Sequence, residues 1–572
     1  MLVHNSDVAE IFNKVADLLE ILDENPFRVR AYRNAARTVG SLSQSVAAMV
    51  EQAKDFTELP GIGKDLAGKI EEIVRTGNLS QLQDLEDRIP PQLIRLMKIP
   101  GLGPKRVKTL YDRLNITSLE DLKKSAEAGE IKNLKGFGEK TEKAILAELG
   151  REKKEERIKL NVAEEVANGV VNYLKRVEGV SEVIVAGSFR RKKETVADLD
   201  ILATCKKGSK VMDAFVEYGN VGKVVAKGET RATIVLRSGI QMDLRVVPEA
   251  SYGAALHYFT GSKAHNIAVR TLGVKGGLKI NEYGVFKGKK RIAGKREEEV
   301  FDHVGLSFIE PELREDQGEI EAAQQGKLPK LITLKDIRGD LHAHTKETDG
   351  RHTLEQMVEA ARNRGYQYVA ITDHSKRLSM THGFDAKRLA KRNEEIDRLN
   401  GKLKGFSVLK SIEVDILEDG SLDLPDSILK ELDLTVCSVH SKFNLPMKKQ
   451  MERIIRAMDN PYFNVFAHPS GRLINERPPY DVDMEELIKA AKERGCAMEV
   501  NAHPDRLDLA DIHCRLARDT GVKLVISTDA HSVNDYDLMR FGVWQARRGW
   551  VEKEDVLNTR SADELKKLLK RK

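Results

Sequence analysis

The chain has 572 residues, 41% hydrophobic and 32% charged. It exceeds the roughly 250–300 residues that one core supports, so two to four domains are expected. No apolar run approaches the ~18–20 residues of a membrane span and no signal-peptide pattern is present, so a cytoplasmic protein without membrane segments is expected. Cys205, Cys437, Cys496 and Cys514 are scattered without a CxxC, which fits reduced thiols better than a disulfide framework or thiolate metal site; the net charge of +6 permits nucleic-acid binding without requiring it.

In chain order, Val8, Ile11, Phe12, Val15, Leu18, Leu19 and Leu22 recur at helical spacing and open a small helical domain. Three related stretches follow: "LPGIGKDLAGKI" from Leu59, "IPGLGPKRVKTL" from Ile99 and "LKGFGEKTEKAI" from Leu134. Each sets two glycines at the mouth of a helix, where positive φ is tolerated and free N–H groups face an anion. Gly61, Gly63, Lys64, Gly101, Gly103, Lys105, Gly136 and Gly138 are therefore candidate contacts to a DNA backbone, positioning rather than reading it. The charge-dense "GREKKEERIKLN" then marks a boundary. Beyond it "VIVAGSF", "DLDILAT", "RATIVLR" and "IQMDLRVV" predict a mixed or antiparallel sheet, the last two runs forming a hairpin about Ser238-Gly239. Polar residues 311–333 read as a linker, and the remainder alternates apolar runs with amphipathic helices, an α/β pattern.

Within "ETVADLDILA", Asp198 and Asp200 share one face of a strand while Leu199 and Ile201 face the core. Two adjacent carboxylates call for a divalent cation, and hard oxygen ligands suit Mg²⁺ or Mn²⁺. Asp243 in "IQMDLRV" supplies a third on a later strand; three carboxylates around two ions suit in-line phosphoryl transfer. Upstream, "AGSFRR" offers Gly187 for close approach, with a hydroxyl and guanidinium groups (Arg190, Arg191) suited to a triphosphate.

At this point the sequence resembles the family X DNA polymerases, the group typified by DNA polymerase beta. "GSFRRKKETVADLDIL", "MDLRVV", "YFTGSKAHNIAVR" and "LKINEYGVF" recur in order over about residues 1–315. The resemblance implies that Asp198 and Asp200 bind both ions, that Asp243 assists a primer 3′-hydroxyl, and that Ser188 and Arg191 contact the nucleotide phosphates. It assigns Tyr258, Phe259 and Gly261 to sugar selection and turns Asn266 and Arg270 toward the nascent base pair. It also likens "NPFRVRAYRNAARTV" to a 5′-phosphate-binding lyase domain, with Arg28 and Tyr32 at DNA and Lys69 as the Schiff-base nucleophile, a role that requires a lowered amine pKa. Asp65 stands where the family has a basic residue.

Ten of the fourteen histidines lie after residue 340, several at the ends of apolar runs. "GDLHAHT", "VAITDHS", "KSIEVDI", "VCSVHS", "VFAHPS" and "VISTDAHS" give His342, His344, His374, Glu413, His440, His468, Asp529 and His531, with Asp349 just beyond the first. Ligands at successive strand ends converge on one rim of an α/β barrel. Nine N and O ligands without cysteine suit two or three Mn²⁺, Zn²⁺ or Fe ions in a catalytic site. The pattern resembles the polymerase and histidinol phosphatase (PHP) domain, a distorted barrel of about seven strands, and implies metal-dependent phosphoester hydrolysis. Glu499 and Asn501 in "MEVNAHP" end another strand and shape the pocket or the fold.

The expected architecture is multidomain α+β and α/β: a helical domain over 1–85, a helix-hairpin-helix region over 86–155, a nucleotidyltransferase palm over 156–250, a nucleotide-selection subdomain over 251–315, a linker over 316–334 and a PHP barrel over 335–572. The expected protein is a monomer that acts on gapped or nicked DNA with deoxynucleoside triphosphates, fills short gaps in base excision repair and trims 3′ ends. 3′-Phosphatase, abasic-site endonuclease and lyase activities are further options. Alternatives are a non-templated nucleotidyltransferase with a phosphoesterase domain and a catalytically silent scaffold on DNA ends.

Overall fold

The computed structural model describes the chain except residues 1, 2, 4, 41, 43–45, 60, 87, 90–92, 94, 95, 98, 100–101, 135, 150–156, 207, 208, 379, 380, 571 and 572. It divides into two compact units, one of residues 1–156 with Tyr218–Gly222 and Leu236–Gly239, the other of the remaining residues.

The first unit is helical. Helix Asn5–Ile21 buries Val8, Phe12, Val15, Leu18 and Leu19, as the spacing requires, against Pro26–Gly40. A single apolar cluster continues from Val3 to Ile145. The paired glycines open helices as expected: Gly61 and Gly136 adopt φ +73° and +89°, and Gly63 and Gly103 cap Lys64–Thr76 and Pro104–Leu114. Gly138 precedes Glu139–Leu149, its carbonyl accepting the Thr141 and Glu142 amides. Gly101 lies outside the described residues.

The second unit begins with a five-stranded mixed sheet whose strands run, edge to edge, Val180–Val185, Asp198–Cys205, Gln241–Val246, Arg231–Leu236 and Val221–Lys227. The last-but-one pair forms the expected antiparallel hairpin, while Asp198–Cys205 and Gln241–Val246 run parallel. Helices Tyr252–Thr260 and Lys263–Lys275 and a three-stranded sheet follow.

The stretch expected to be a linker is folded. Glu319–Gln324 forms a helix, and Ile320, Ala323 and Leu331 join the cluster built on Val269, Val285 and Phe301. Glu319 is fully buried, with His265 Nδ1 donating to it at 2.8 Å. Polarity misleads here because a few apolar residues, Ile320, Ala323 and Leu331, suffice to dock the segment, and the buried Glu319 has a partner in His265.

The C-terminal domain is a parallel barrel, its strands among the described residues lying in two sheets. Gly339–Asp340, Tyr368–Ile371 and Ser407–Lys410 form one sheet, and Glu413–Asp415, Val436–Ser438, Val465–Phe466, Ala497–Asn501 and Leu524–Ser527 the other. Ser407–Lys410 and Glu413–Asp415, two residues apart in the chain, lie in different sheets. Parallel bridges His374–Glu413 and Ala343–Ala530 close the circle.

Candidate active centres

In the palm, alternation along Asp198–Cys205 buries Leu199 and Ile201 and leaves Asp198 and Asp200 half-buried on the other face. Asp200 and Asp243 are direct partners in the parallel register. Burial first, then the charges of Asp198 and Asp243, push the Asp200 carboxyl up to about 7, with Arg191 and Arg245 opposing. Like charges so placed favour a divalent cation between them. Thr233 Oγ1 donates to Asp243 Oδ1 at 2.5 Å and Gln241 Nε2 to Oδ2 at 3.0 Å, which fixes this carboxylate's rotamer.

Gly187 adopts φ +60°, and a Cβ there would lie 2.3 Å from Asp200 Oδ2. Only glycine lets the Gly187–Arg190 turn come this close to the acidic strand. Ser188 lies on that turn, half-buried. Arg191 donates Nη1 to the Thr260 carbonyl at 2.6 Å and Nε to Glu315 at 3.0 Å. Arg190, read with it as a triphosphate contact, is instead used by the fold: both its terminal nitrogens donate to Glu297, at 2.8 and 2.7 Å. Burial tends to raise Glu297, but Arg190 and the fully buried Arg314 bring its carboxyl down to about 2.

The turn after Tyr252–Thr260 adjoins this loop, since a Cβ on Gly261 would meet Arg191 Nη1 at 3.1 Å. Tyr258 and Phe259 make an edge contact at 5.2 Å, and Arg245 lies over the Phe259 ring at 5.3 Å. Asn266 Nδ2 donates to the Tyr258 carbonyl at 2.7 Å, so this residue ties the helix to the turn, while Arg270 is exposed one helical turn on. Arg245, whose charge reaches Asp200, escaped sequence reasoning although its strand spacing from Asp243 was visible.

In the helical unit two of the expected site residues have partners within the fold. Tyr32 is 2% exposed, edge-on to Phe12, with its hydroxyl donating to Gln81, so it belongs to the core rather than to a DNA surface. Lys69 lies 2.5 Å from Asp65 and over the Tyr32 ring at 5.3 Å. Burial alone would lower this amine, but hydrogen bonding and charge from Asp65 and Tyr32 raise it, opposite to what a Schiff-base nucleophile needs. Arg28, Lys64 and Lys105 are exposed.

The nine barrel residues come together. His342, His374, His440, His468 and Asp529 each follow a strand end, Glu413 begins its strand segment, and His468 and Asp529 adopt φ +29° and +55°, strain that a functional rim accommodates. Three groups converge closely enough to hold an ion: His344, Asp349, His374 and His531; His342, His344 and Asp529; and His374, Glu413 and His440. Shared His344 and His374 make the three positions contiguous, and His468 Nε2 reaches Glu413 at 3.1 Å. The palm triad is not among these tight groups.

One orienting device recurs. His342 Nδ1 donates to Glu499 at 2.7 Å, His440 Nδ1 to Asp415 at 3.2 Å, and His531 Nδ1 to the Asp529 carbonyl at 2.7 Å. Each Nε2 is thereby turned inward toward carboxylate oxygens, His342 Nε2 at 3.4 Å from Asp529 and 3.5 Å from Glu413. His342 Nε2 and His344 Nδ1 are buried without a hydrogen-bond partner. Buried lone pairs facing carboxylates fit a cation. Burial disfavours the charged forms, yet the carboxylates raise His440 and His531 to about 9, and the histidines hold Glu413 and Asp529 well below the usual range. Glu499 also accepts from Ser527 Oγ and the His468 amide, and Asn501 Nδ2 donates to Asp529 at 3.2 Å. Asp415 was missed, though its alternation with Glu413 on one strand was the available signal.

The sheet with its acidic register pair and the histidine-lined barrel define a nucleotidyltransferase palm joined to a metal-dependent phosphoesterase domain. Family models match along the chain: a helix-hairpin-helix domain at 3–79, a SAM-like helix-hairpin-helix tandem at 93–151, the DNA polymerase beta palm at 157–243, the DNA polymerase beta thumb at 255–315 and the PHP domain at 340–503. A DNA polymerase/3′-5′ exonuclease PolX from Bacillus subtilis strain 168 is 38% identical over 574 residues, covering 100% of both chains. DNA polymerase lambda of Arabidopsis thaliana is 26% identical over 54% of this chain and 62% of its own. A probable phosphatase of Thermoanaerobacter sp. strain X514 is 29% identical over 41% of this chain and 94% of its own. The chain belongs to the family X DNA polymerases of the PolX type, with a C-terminal PHP domain. Domains of these two kinds imply divalent-metal use. No helix among the described residues is long and apolar enough to cross a membrane.

Proposed function

We propose that this protein is a DNA-directed DNA polymerase that fills short gaps in base excision repair and, through its PHP domain, a metal-dependent 3′–5′ exonuclease. The carrying observation is the full-length likeness to a bacterial protein named for both activities, in a chain that assembles both candidate centres. The substrates are gapped or nicked DNA and deoxynucleoside triphosphates, the former held through the sugar-phosphate backbone by the paired-glycine turns at Gly61, Gly63, Lys64, Gly103, Lys105, Gly136 and Gly138.

In the palm, Asp198, Asp200 and Asp243 hold two Mg²⁺ or Mn²⁺ ions, and Asp243, fixed by Thr233 and Gln241, serves the primer hydroxyl. Ser188 and Arg191 orient the triphosphate, the tight Gly187 turn bringing it over Asp200. Tyr258, Phe259 and Gly261, braced by Asn266, crowd a 2′-hydroxyl. In the barrel the nine residues hold two or three Mn²⁺, Zn²⁺ or Fe ions, with Glu499, Asp415 and the Asp529 carbonyl fixing the imidazole tautomers. When bound, divalent ions supply charge stabilisation of the phosphoryl oxygens in both centres.

The likeness of the C-terminal domain to proteins named as phosphatases favours a second reading of that centre, removal of a 3′-phosphate. A 5′-labelled primer on single-gap DNA with Mn²⁺ tests both. Template-directed lengthening with nucleotides and shortening without them are expected; a 3′-phosphate primer extended after preincubation adds the phosphatase. Failure to lengthen, or a failure to shorten, removes the corresponding activity.

A further inference from the structure

The loop that carries Arg191 does not rest on the palm alone. Its Phe189 packs in one cluster with Ile474, Leu538 and Phe541 of the barrel domain. The Lys192 ammonium lies over the Trp544 ring at 3.8 Å, held there by a backbone at φ +56°. Helix Met539–Arg548 of the barrel domain supplies both Trp544 and, at its last position, Arg548.

Arg548 is 7% exposed and makes two kinds of contact to the palm side. Its Nη1 donates to the Arg191 carbonyl at 2.7 Å and lies 3.1 Å from Glu315 Oε1, the same oxygen that accepts from Arg191 Nε at 3.0 Å. Its other edge is fixed by Asp511, at 2.9 Å from Nε and 2.7 Å from Nη2. Glu315 therefore sits between two guanidinium groups, one from each domain, with Lys193 3.7 Å away. Arg191 spends Nε on Glu315 and Nη1 on the Thr260 carbonyl, which sets the direction in which its remaining Nη2 is offered.

We propose that Arg548 is a positioning residue for DNA synthesis: from the phosphoesterase domain it fixes Glu315 and the Arg191 backbone, and through them the guanidinium that takes the incoming triphosphate. Without Arg548, Glu315 and the Arg191 carbonyl would each lose an anchor, and Arg191 would no longer be held at a fixed angle toward the nucleotide. The PHP domain is thus a working part of the nucleotide site as well as a nuclease. The inference rests on Arg191 being a triphosphate contact.

The test uses full-length enzyme on single-gap DNA, measuring KM for the templated deoxynucleoside triphosphate and kcat separately, with 3′ shortening and thermal melting as checks of folding. Arg548→Met is expected to raise KM roughly tenfold, the scale of one charge-assisted hydrogen bond, with a much smaller change in kcat and no change in 3′ shortening. Arg548→Lys restores part of the loss, and Glu315→Gln shifts KM in the same direction, serving as the second variant if Arg548→Met is unstable. Arg540→Met cuts another ion pair between the same domains, 2.8 Å to Glu164, and leaves KM unchanged. Combined with Arg191→Ala, Arg548→Met adds nothing further. A KM indifferent to Arg191→Ala removes the premise and the inference with it. A KM that responds to Arg191→Ala but not to Arg548→Met, or equally to Arg548→Met and Arg540→Met, overturns the inference alone.

Discussion

Asp200 and Asp243 stand directly opposite one another on neighbouring parallel strands, Cα partners in the register, and burial first, then the charges of Asp198 and Asp243, push the Asp200 carboxyl up to about 7. Asp200→Ala should lower synthesis by roughly 10²–10³-fold, the scale of removing a main electrostatic group, and spare 3′ shortening. His344→Ala should do the reverse. Primer-extension and degradation assays on both variants check this, and one substitution that abolishes both activities would refute two separate centres.

Gly187→Ala should act like an active-site substitution although it adds one methyl. The new Cβ would fall 2.3 Å from Asp200 Oδ2, so loop or carboxylate must shift by the ångström that costs about 10²-fold in rate. Steady-state synthesis should drop while degradation holds.

Glu499→Gln keeps shape but weakens the hold on His342 Nδ1 and on the Ser527 and His468 donors. Affinity for divalent metal in the barrel should fall about 10- to 100-fold. Equilibrium dialysis with metal analysis reads this directly, and synthesis should be unaffected.

The buried Arg190–Glu297–Arg314 cluster carries a pH signature. Glu297 has its carboxyl depressed from the ordinary 4.5 to about 2, so its contribution is fully present above the unfolded value and is lost as pH falls through about 2. Glu297→Gln, which leaves Arg314 buried without its counter-ion, should destabilise by about 3–5 kcal/mol at neutral pH. The gap to the parent should narrow from about pH 4.5 downward in urea-melting series; a gap independent of pH would sink the assignment.

Lys69, held protonated beside Asp65, should trap little abasic sugar under borohydride at neutral pH. Asp65→Asn should increase trapping. Efficient trapping by the parent that disappears in Lys69→Ala would overturn this reading.

The two centres were legible because each obeys a local period. Alternation placed Asp198 and Asp200 on one face, and histidines ending apolar runs marked the barrel rim. What stayed hidden depends on partners distant in sequence. Tyr32 looks like a DNA contact until Phe12 and Gln81 enclose it. Arg190 and Arg191 are adjacent and chemically identical, yet Glu297 claims one and Glu315 the other. Residues 316–334 read as a tether because the apolar residues that dock it, Ile320, Ala323 and Leu331, are sparse, and one of their neighbours is Trp550, more than two hundred positions onward.

That docked segment bears on proofreading. A flexible tether would let a nuclease swing over to a mispaired terminus, but here the segment is folded and packed against neighbours that include Trp550, and both centres lie in one compact unit. The primer terminus is then expected to do the travelling, and 3′ shortening should be faster on DNA ends that fray readily.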